Sequence, residues 1–396
     1  MSGKGRRSRR AAAGFFALLA LATPAAADQG PIRIGFVSTF SGPAAEIGAH
    51  MRNAFELALD DLGHHMGGRP VEVIYEDDRQ QPETGAQQTR KLIEADHVDI
   101  LTGYIWSNVL LASLKPALDA GVILVSAHAG PSQVAGELCS PLFFATGVQN
   151  DQTAAAVGLF MNQEGIGRAY LLSPNYAAGR DILAGFKTTF KGRVVRETYT
   201  RWPDHMDFSA EISAIRAAAP DAVFAFYPGA AGVQFLNQYA GAGLKDRIPL
   251  YTAFVIDEMT LPLQGENALG VPGAQEWVND LPNEANRRFV AAYRAKYHLP
   301  PSYYDAEAYD AAQLIAGGLA AVGGDPRRRE AMIAAMEKVP FAPVRGPFRF
   351  GNNHFPIQDF YLQTVQKRPD GTLGLATRAT IVRGFQDAYH DRCPMK

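Results

Sequence analysis

Between residues 32 and 254 the chain alternates short β-type runs with stretches of helical apolar spacing, and no other feature restricts its fold as tightly. Residues 32–37 (Ile-Arg-Ile-Gly-Phe-Val) are the first run. Over 46–62 the apolar side chains then fall at 47, 51, 54, 55, 58, 59 and 62, one face of a 3.6-residue repeat. Strands expected at 71–75, 99–105 and 122–126 alternate with helices at 82–95 and 109–120. After Phe143-Phe144 the order restarts, with helices at 153–164, 181–190, 208–218 and 232–242 between strands at 169–173, 194–199, 221–227 and 249–254. Parallel neighbours need a crossover of a dozen or more residues, which a helix supplies, so this order predicts parallel sheets covered by helices. The two sets predict an α/β chain of two doubly wound lobes.

The remainder breaks the pattern. Residues 284–340 read as helix only (286–297, 306–322, 327–338), whereas 344–386 is polar and β-like, with a turn at Pro369-Asp370-Gly371 and its best strand at 360–365. Laying these pieces back on the lobes makes the chain cross between them several times, and the crossings form a hinge. The expected division is 28–147 with roughly 277–343 in lobe one, and 148–276 with roughly 344–396 in lobe two.

Ligands of doubly wound sheets sit beyond the C-terminal strand ends, which here is the cleft between the lobes. Six strand-end loops supply candidate residues: Phe40 and Ser41; Trp106, Ser107 and Asn108; His128, Ala129 and Gly130; Tyr176; Tyr227; and Phe254 with Asp257. Gly, Pro, Ser and Asn also populate ordinary βα turns, so the weight lies in six such loops converging. Signatures of catalysis are missing. The chain has no G-x-x-x-x-G-K-[ST] loop, no G-x-G-x-x-G after a strand and no G-x-S-x-G elbow. His64-His65 lacks the H-E-x-x-H spacing of a metal site, and Glu76-Asp77-Asp78 alternate in direction along a strand end. His128 has no base-orienting partner visible from spacing. No enzyme, cofactor or metal is expected. With 38 Lys+Arg against 40 Asp+Glu the net charge is −2, which removes the electrostatic basis for nucleic-acid binding.

The amino terminus points to export. Five basic residues lie within 1–10, an uninterrupted apolar stretch fills 11–22, and Ala25-x-Ala27 follows. Together they predict a secretory signal peptide cleaved after Ala27; the apolar stretch is too short to span a bilayer. Arg9-Arg10 would suit a twin-arginine signal, but its flanks support that poorly. An oxidising destination makes Cys139 and Cys393 a natural pair. Their bridge would close a loop of 254 residues, from 139 to 393, worth at most roughly 5 kcal/mol in the loop-entropy model.

Several segments carry a family resemblance. Ser41-Gly42-Pro43 with Gly48, Asp77-Asp78 with Pro82, Gly103 with Ser107, Tyr176-Ala177-Ala178-Gly179, Asp207-Phe208-Ser209, Asp221-Ala222-Val223, Tyr309-Asp310-Ala311 and Val344-Arg345-Gly346-Pro347-Phe348 resemble the type I periplasmic solute-binding proteins of branched-chain amino-acid ABC transporters. The similarity spans the whole mature chain. Ala129-Gly130-Pro131-Ser132, Pro174-Asn175-Tyr176, Leu183-Ala184-Gly185-Phe186-Lys187 and the run from Asn352 to Tyr361 are closer to the branch that binds coumarate-, cinnamate- or benzoate-type acids, and the paired cysteines also fit that branch. The resemblance implies a periplasmic receptor, monomeric, without cofactor, that passes a small organic acid to the permease subunits of an importer.

Amino-acid receptors of the family hold the ligand ammonium with an acid where this chain has Phe254, and use a threonine hydroxyl near Gly130. An unpaired buried ammonium is costly, so both changes argue against an α-amino acid, although Asp257 stands three residues after Phe254. The expected ligand contacts are Ser107, Asn108 and the N–H groups of Ala129-Gly130 for a carboxylate. Trp106, His128, Tyr176, Tyr227 and Phe254 are expected to wall a ring. A branched-chain amino-acid or amide receptor, a sensor of the same fold and an enzyme using His128 are the alternatives.

Overall fold

Strand runs such as Ile100–Gly103 and Ile123–Ser126 are buried along their whole length, which a strand tolerates only when helices cover both faces of its sheet. They sit in the middle of the first sheet of the computed structural model, which describes residues 1–3, 5 and 30–395. That sheet has six strands in the order His65–Met66, Arg69–Asp77, Ile32–Ser38, Ile100–Gly103, Ile123–Ser126, Phe143–Ala145. All pair in parallel except the short edge hairpin of His65–Met66 with Arg69–Asp77. The expected apolar stretch at 11–22 and the cleavage point after Ala27 lie outside the described residues. Among the described residues no helix is long and apolar enough to cross a membrane.

The second sheet starts parallel, with Arg193–Thr200, Arg168–Pro174, Ala222–Phe226, Leu250–Ala253 and Pro272–Gln275 as successive neighbours. It then changes sense. Pro356–Lys367 pairs antiparallel with Pro272–Gln275, and Leu373–Phe385 pairs antiparallel with Pro356–Lys367. Sequence patterning gave no sign of Pro272–Gln275, because Pro and Gly dilute its strand signal. Its place between two strong neighbours makes it a strand.

Helix existence follows the expected pattern, while several first turns start earlier than apolar spacing suggests. The helix expected at 109–120 is Ser107–Asp119, and that expected at 306–322 is Tyr303–Ala321. In both, the first turn carries residues turned toward the cleft, which have no place in the apolar stripe. Ser302 caps the second of these helices through a reciprocal box with Asp305.

The late helices cover the first sheet. Asp305 accepts from His50 Nδ1 at 2.9 Å, Tyr297 donates to the Asn53 carbonyl at 2.7 Å, and Lys296 pairs with Asp60, all joining the 284–321 region to helix Ala45–Asp61. The antiparallel hairpin extends the second sheet, whereas its flanks reach the first. Asn353 donates to the Ala135 carbonyl at 3.0 Å, the Ala145 N–H to the His354 carbonyl at 3.1 Å, and His354 stacks on Phe144 at 4.0 Å. These contacts draw both ends of the hairpin back to the first lobe. Cys139 and Cys393 are disulfide-bonded with their Cα atoms 5.6 Å apart, fastening the tail beside the exit of the first sheet. Replacing both cysteines by serine is expected to lower the unfolding free energy by about 2–5 kcal/mol in urea titrations. A reductant should shift the midpoint of the parent protein and leave that of the double variant unmoved.

Candidate functional site

Turn geometry at the strand ends sets the site. Strand Ile100–Gly103 closes on Gly103 at φ +96°, where a Cβ would lie 2.3 Å from the Val37 carbonyl oxygen. Only glycine fits there, and the chain leaves toward Trp106. The Trp106 indole donates to Thr39 Oγ1 at 2.8 Å, and that hydroxyl donates to the buried Asp78 carboxylate at 2.5 Å. Trp106 is thereby locked by the loop of the neighbouring strand. Its ring meets Trp202 edge-on at 4.9 Å and Tyr176 at 6.3 Å, and Tyr176 stacks on Trp202 at 4.0 Å and 11°.

The ring contacts continue across the lobes. Tyr176 lies 6.2 Å from Phe226, Phe226 lies 5.8 Å from Phe254, and Phe254 meets Tyr303 at 5.2 Å and His128 at 5.7 Å. His128 in turn packs on Tyr304 at 4.6 Å. Trp106, His128, Tyr303 and Tyr304 come from the first lobe; Tyr176, Trp202, Phe226 and Phe254 come from the second. Phe254 holds φ +57°, a left-handed conformation that costs a bulky residue roughly 1–3 kcal/mol and is typical of binding sites.

Three expected contact residues lie elsewhere. Phe226 and Tyr227 are adjacent at a strand end and point to opposite faces. Tyr227 is buried in the far core of lobe two against Phe208 and Phe235, its hydroxyl accepting from Thr200 at 3.2 Å, so Phe226 takes the place at the cleft expected for Tyr227. Phe40 packs on Phe36 and Tyr75 at the flank of lobe one, with its N–H on Asp77, and Ser41 is exposed. Neither touches the ring cluster.

Polar groups near the rings divide into used and unused. Ser107 Oγ accepts from Asn150 Nδ2 at 3.0 Å, and the same amide donates to Asp181 at 2.9 Å. Asn108 Oδ1 is buried without a partner. The Ala129 N–H is taken by the Tyr104 carbonyl at 2.9 Å, which removes one of the two backbone donors expected for a carboxylate. Gly130 is obligatory for steric reasons, since a Cβ would stand 1.9 Å from the Val148 carbonyl oxygen. Asp257 uses Oδ1 to cap its own turn, accepting from the N–H of Met259 and of Thr260, while Oδ2 is buried and unpartnered. A hollow of about 130 Å³ lies at the cleft mouth among Ile47, Trp106, Trp202, Met206 and Gly229. A larger one of about 780 Å³ opens on the surface beside Arg327–Glu330 and touches none of these rings.

Spacing offered His128 no partner; the fold supplies one. Its Nδ1 lies 2.7 Å from Glu307 Oε2, a residue that helix Tyr303–Ala321 brings in from 179 positions away. Burial pushes the imidazole down to about 4, so it is neutral at physiological pH. Glu276 and Glu307 face each other in the same buried region. Burial, joined for Glu276 by the charge of Glu307, pushes each up to about 8. Arg345 stands beside them, its Nε 3.1 Å from Asp310 and its Nη1 3.0 Å from Gln358. Sequence reasoning missed Trp202, Phe226, Tyr303, Tyr304, Glu276 and Glu307, because each lies at an element end or outside the six loops. Among the described residues no group of three or more His, Cys, Asp or Glu side chains could hold a metal ion.

These carboxyls carry a pH signature. Glutamates that ionise near 4.5 when unfolded and near 8 when folded favour the native state fully below 4.5, and that stabilisation is lost as pH rises through 8. His128, shifted down, acts oppositely, but only below its ordinary value of 6.5. Unfolding free energies from urea titrations are therefore expected to fall from pH 6.5 to 8 by up to roughly 1.4 kcal/mol per pH unit for each such group. Glu276→Gln should flatten the slope; an unchanged slope would remove Glu276 as its source.

Comparison with known proteins identifies the fold and the family. A family model described as periplasmic binding protein matches residues 31–372. A solute-binding protein of an ABC transporter from R. palustris, solved in complex with benzoate, superposes with a TM-score of 0.87 at 31% identity, covering 92% of this chain and 100% of that one. Another, from Rhodopseudomonas palustris in complex with 3,4-dihydroxy benzoic acid, gives a TM-score of 0.84 at 29% identity over 90% of this chain and 99% of that one. Leu/Ile/Val-binding protein homolog 6 of Brucella melitensis biotype 1 is 28% identical over 351 residues, 86% of this chain and 89% of the relative. This fold and family are those of solute-binding receptors, not of enzymes. The chain belongs to the periplasmic binding protein family, as a substrate-binding receptor of the ABC-transporter type.

Proposed function

We propose that the receptor captures a small aromatic carboxylate in its cleft and delivers it to the permease subunits of an ABC importer. The observation that carries this reading is the continuous set of aromatic contacts from Trp106 through Tyr176, Phe226 and Phe254 to His128, contributed by both lobes. A flat ring slid between such side chains gains stacking and edge contacts from each lobe, so binding favours closure. The carboxylate would meet the start of helix Ser107–Asp119, whose free N–H groups favour an anion, together with Asn108 and the Gly130 N–H. Solved relatives in complex with benzoate and with 3,4-dihydroxy benzoic acid support the same ligand class. Export through a signal peptide cleaved after Ala27, and action as a monomer in the periplasm, complete the proposal.

One observation favours a second reading. Asp257 Oδ2 is a buried, unpartnered carboxylate oxygen near Tyr303 and Tyr304, and an amino-acid ammonium would satisfy it. The Leu/Ile/Val-binding relatives point the same way.

Thermal unfolding of ligand-stripped protein separates the two. Benzoate, 4-hydroxybenzoate or cinnamate at a hundred times its Kd is expected to stabilise the protein by about 2.7 kcal/mol. Trp106→Ala should weaken that binding at least about tenfold by calorimetry. Stabilisation by leucine or isoleucine with no response to any aromatic acid would overturn the aromatic reading in favour of the amino-acid one. Loss of the leucine response in Asp257→Asn would then assign the ammonium contact.

A further inference from the structure

We infer that Trp202 is the gate of the cleft: its indole closes against the fixed indole of Trp106, and its swing sets how fast a ligand enters and leaves. This deepens the proposed receptor function. It rests on the cleft as the ligand site and not on the ligand being aromatic.

The chain has three indoles, at 106, 202 and 277, and two of them are pinned. Trp106 Nε1 donates to Thr39 Oγ1 at 2.8 Å, and Trp277 Nε1 donates to Asn286 Oδ1 at 2.8 Å; both side chains are buried. Trp202 differs on each count. It is half-buried, and among the described residues no hydrogen bond holds its indole. Rings hold it instead: Tyr176 stacks on it at 4.0 Å, and Trp106 meets it edge-on at 4.9 Å and 61°.

The segment that carries Trp202 is anchored only at its ends. Residues 201–208 join strand Arg193–Thr200 to helix Ser209–Ala218. Before the segment, the Thr200 carbonyl accepts from the Asn175 N–H at 2.8 Å. Beyond Trp202, His205 reaches Glu211 at 3.3 Å, and Gln238 both donates to the Met206 carbonyl and accepts from the Phe208 N–H, each at 2.8 Å. Between these anchors Arg201 pairs with Asp204 at 2.9 Å, an exposed contact internal to the segment. The stretch 201–204 can therefore shift without breaking a hydrogen bond to the body of lobe two.

Its position makes that freedom matter. Arg193–Thr200 is the edge strand of the second sheet, at the opposite side from Pro272–Gln275 and Pro356–Lys367, beside which the chain crosses to lobe one. Opening about those crossings moves this edge farthest. The hollow of about 130 Å³ at the mouth is lined by Ile47 and Trp106 from the first lobe and by Trp202 and Met206 from the second. Tyr176, Phe226, Phe254 and His128 do not line it, so the indole pair stands between the mouth and the inner rings. A solute passing from the hollow to those rings crosses the Trp106–Trp202 contact. Trp106 cannot yield without losing its hydrogen bond to Thr39, whereas Trp202 yields by giving up ring contacts alone.

A gate and a wall differ in kinetics. A gate is crossed in both directions, so removing it speeds entry and exit together, and Kd moves less than either rate. A residue that only walls the bound ligand changes koff and Kd together and leaves kon as it was.

The test is stopped-flow fluorescence on ligand-stripped protein, with benzoate and separately with leucine as the probe, and Kd from calorimetry. Trp202→Ala is expected to raise both kon and koff about tenfold, with a smaller change in Kd. Trp202→Phe, which keeps a ring on Tyr176, should stay within about threefold of the parent rates. Fluorine NMR of wild-type protein labelled with 5-fluorotryptophan requires no variant to fold. There the Trp202 signal should be broadened by exchange and sharpen with bound ligand, while those of Trp106 and Trp277 stay narrow. Unchanged rates in Trp202→Ala, a koff that rises in step with Kd at constant kon, or three equally narrow signals would overturn the gate. Benzoate binding with parental rates in Trp202→Ala would sink the gate and leave the aromatic-acid function standing. Binding of leucine alone, with both of its rates raised in that variant, would uphold the gate and sink the aromatic reading.

Discussion

The Arg345 guanidinium is the interaction on which the two-lobed arrangement turns. It is buried, and it contacts three parts of the chain that meet only at the crossings: Asp310 on a first-lobe helix, Gln358 on a second-sheet strand, and the Gly147 carbonyl where the chain first passes between lobes. The Asp310 carboxylate also accepts from the Val344 N–H at 3.0 Å, so the last crossing is fixed at both ends. A buried charge that loses its partner is severely destabilising, which makes this node intolerant of other arrangements. The ring-lined cleft lies between the two bodies this node holds together.

Chemistry in the cleft depends on the contrast between what is satisfied and what is left over. Thr39, Ser107, Asn150 and Asp181 are tied into hydrogen-bond networks that orient rings and close the base of the cleft. Asn108 Oδ1, Asp257 Oδ2 and Tyr303 Oη are among the buried polar atoms the fold leaves without a partner there. Folded proteins rarely leave buried polar atoms unpaired, so such atoms beside a ring-lined crevice are the natural place for a ligand's own polar groups.

Much of the architecture was legible from periodicity. Apolar runs and helical spacing respond to local burial, and helices Ala45–Asp61, Pro82–Glu94 and Glu284–Tyr297 lie where the spacing puts them to within two residues. Pro272–Gln275 was not legible, since its neighbours and not its residues make it a strand. The site was legible in part. Trp106, His128, Tyr176 and Phe254 stood out as aromatic residues in strand-end loops and do meet across the cleft. Tyr227 misled, because one residue along a strand reverses the face, and only the register decides between it and Phe226.

The sequence by itself determined the α/β alternation, the restart that makes two lobes, the strand-end loops and the two cysteines. Each follows from local composition and spacing. Tertiary structure alone decided which rings meet, that the antiparallel hairpin returns to lobe one at both its ends, and that Glu307 and Glu276 stand behind His128. Those outcomes depend on residues as far as 218 positions apart being brought together, as with Asn353 and Ala135, and no local pattern encodes such a pairing. The physical reason is that burial sets both contact and charge: a carboxyl's proton and an imidazole's tautomer are fixed only by the groups that fold against them.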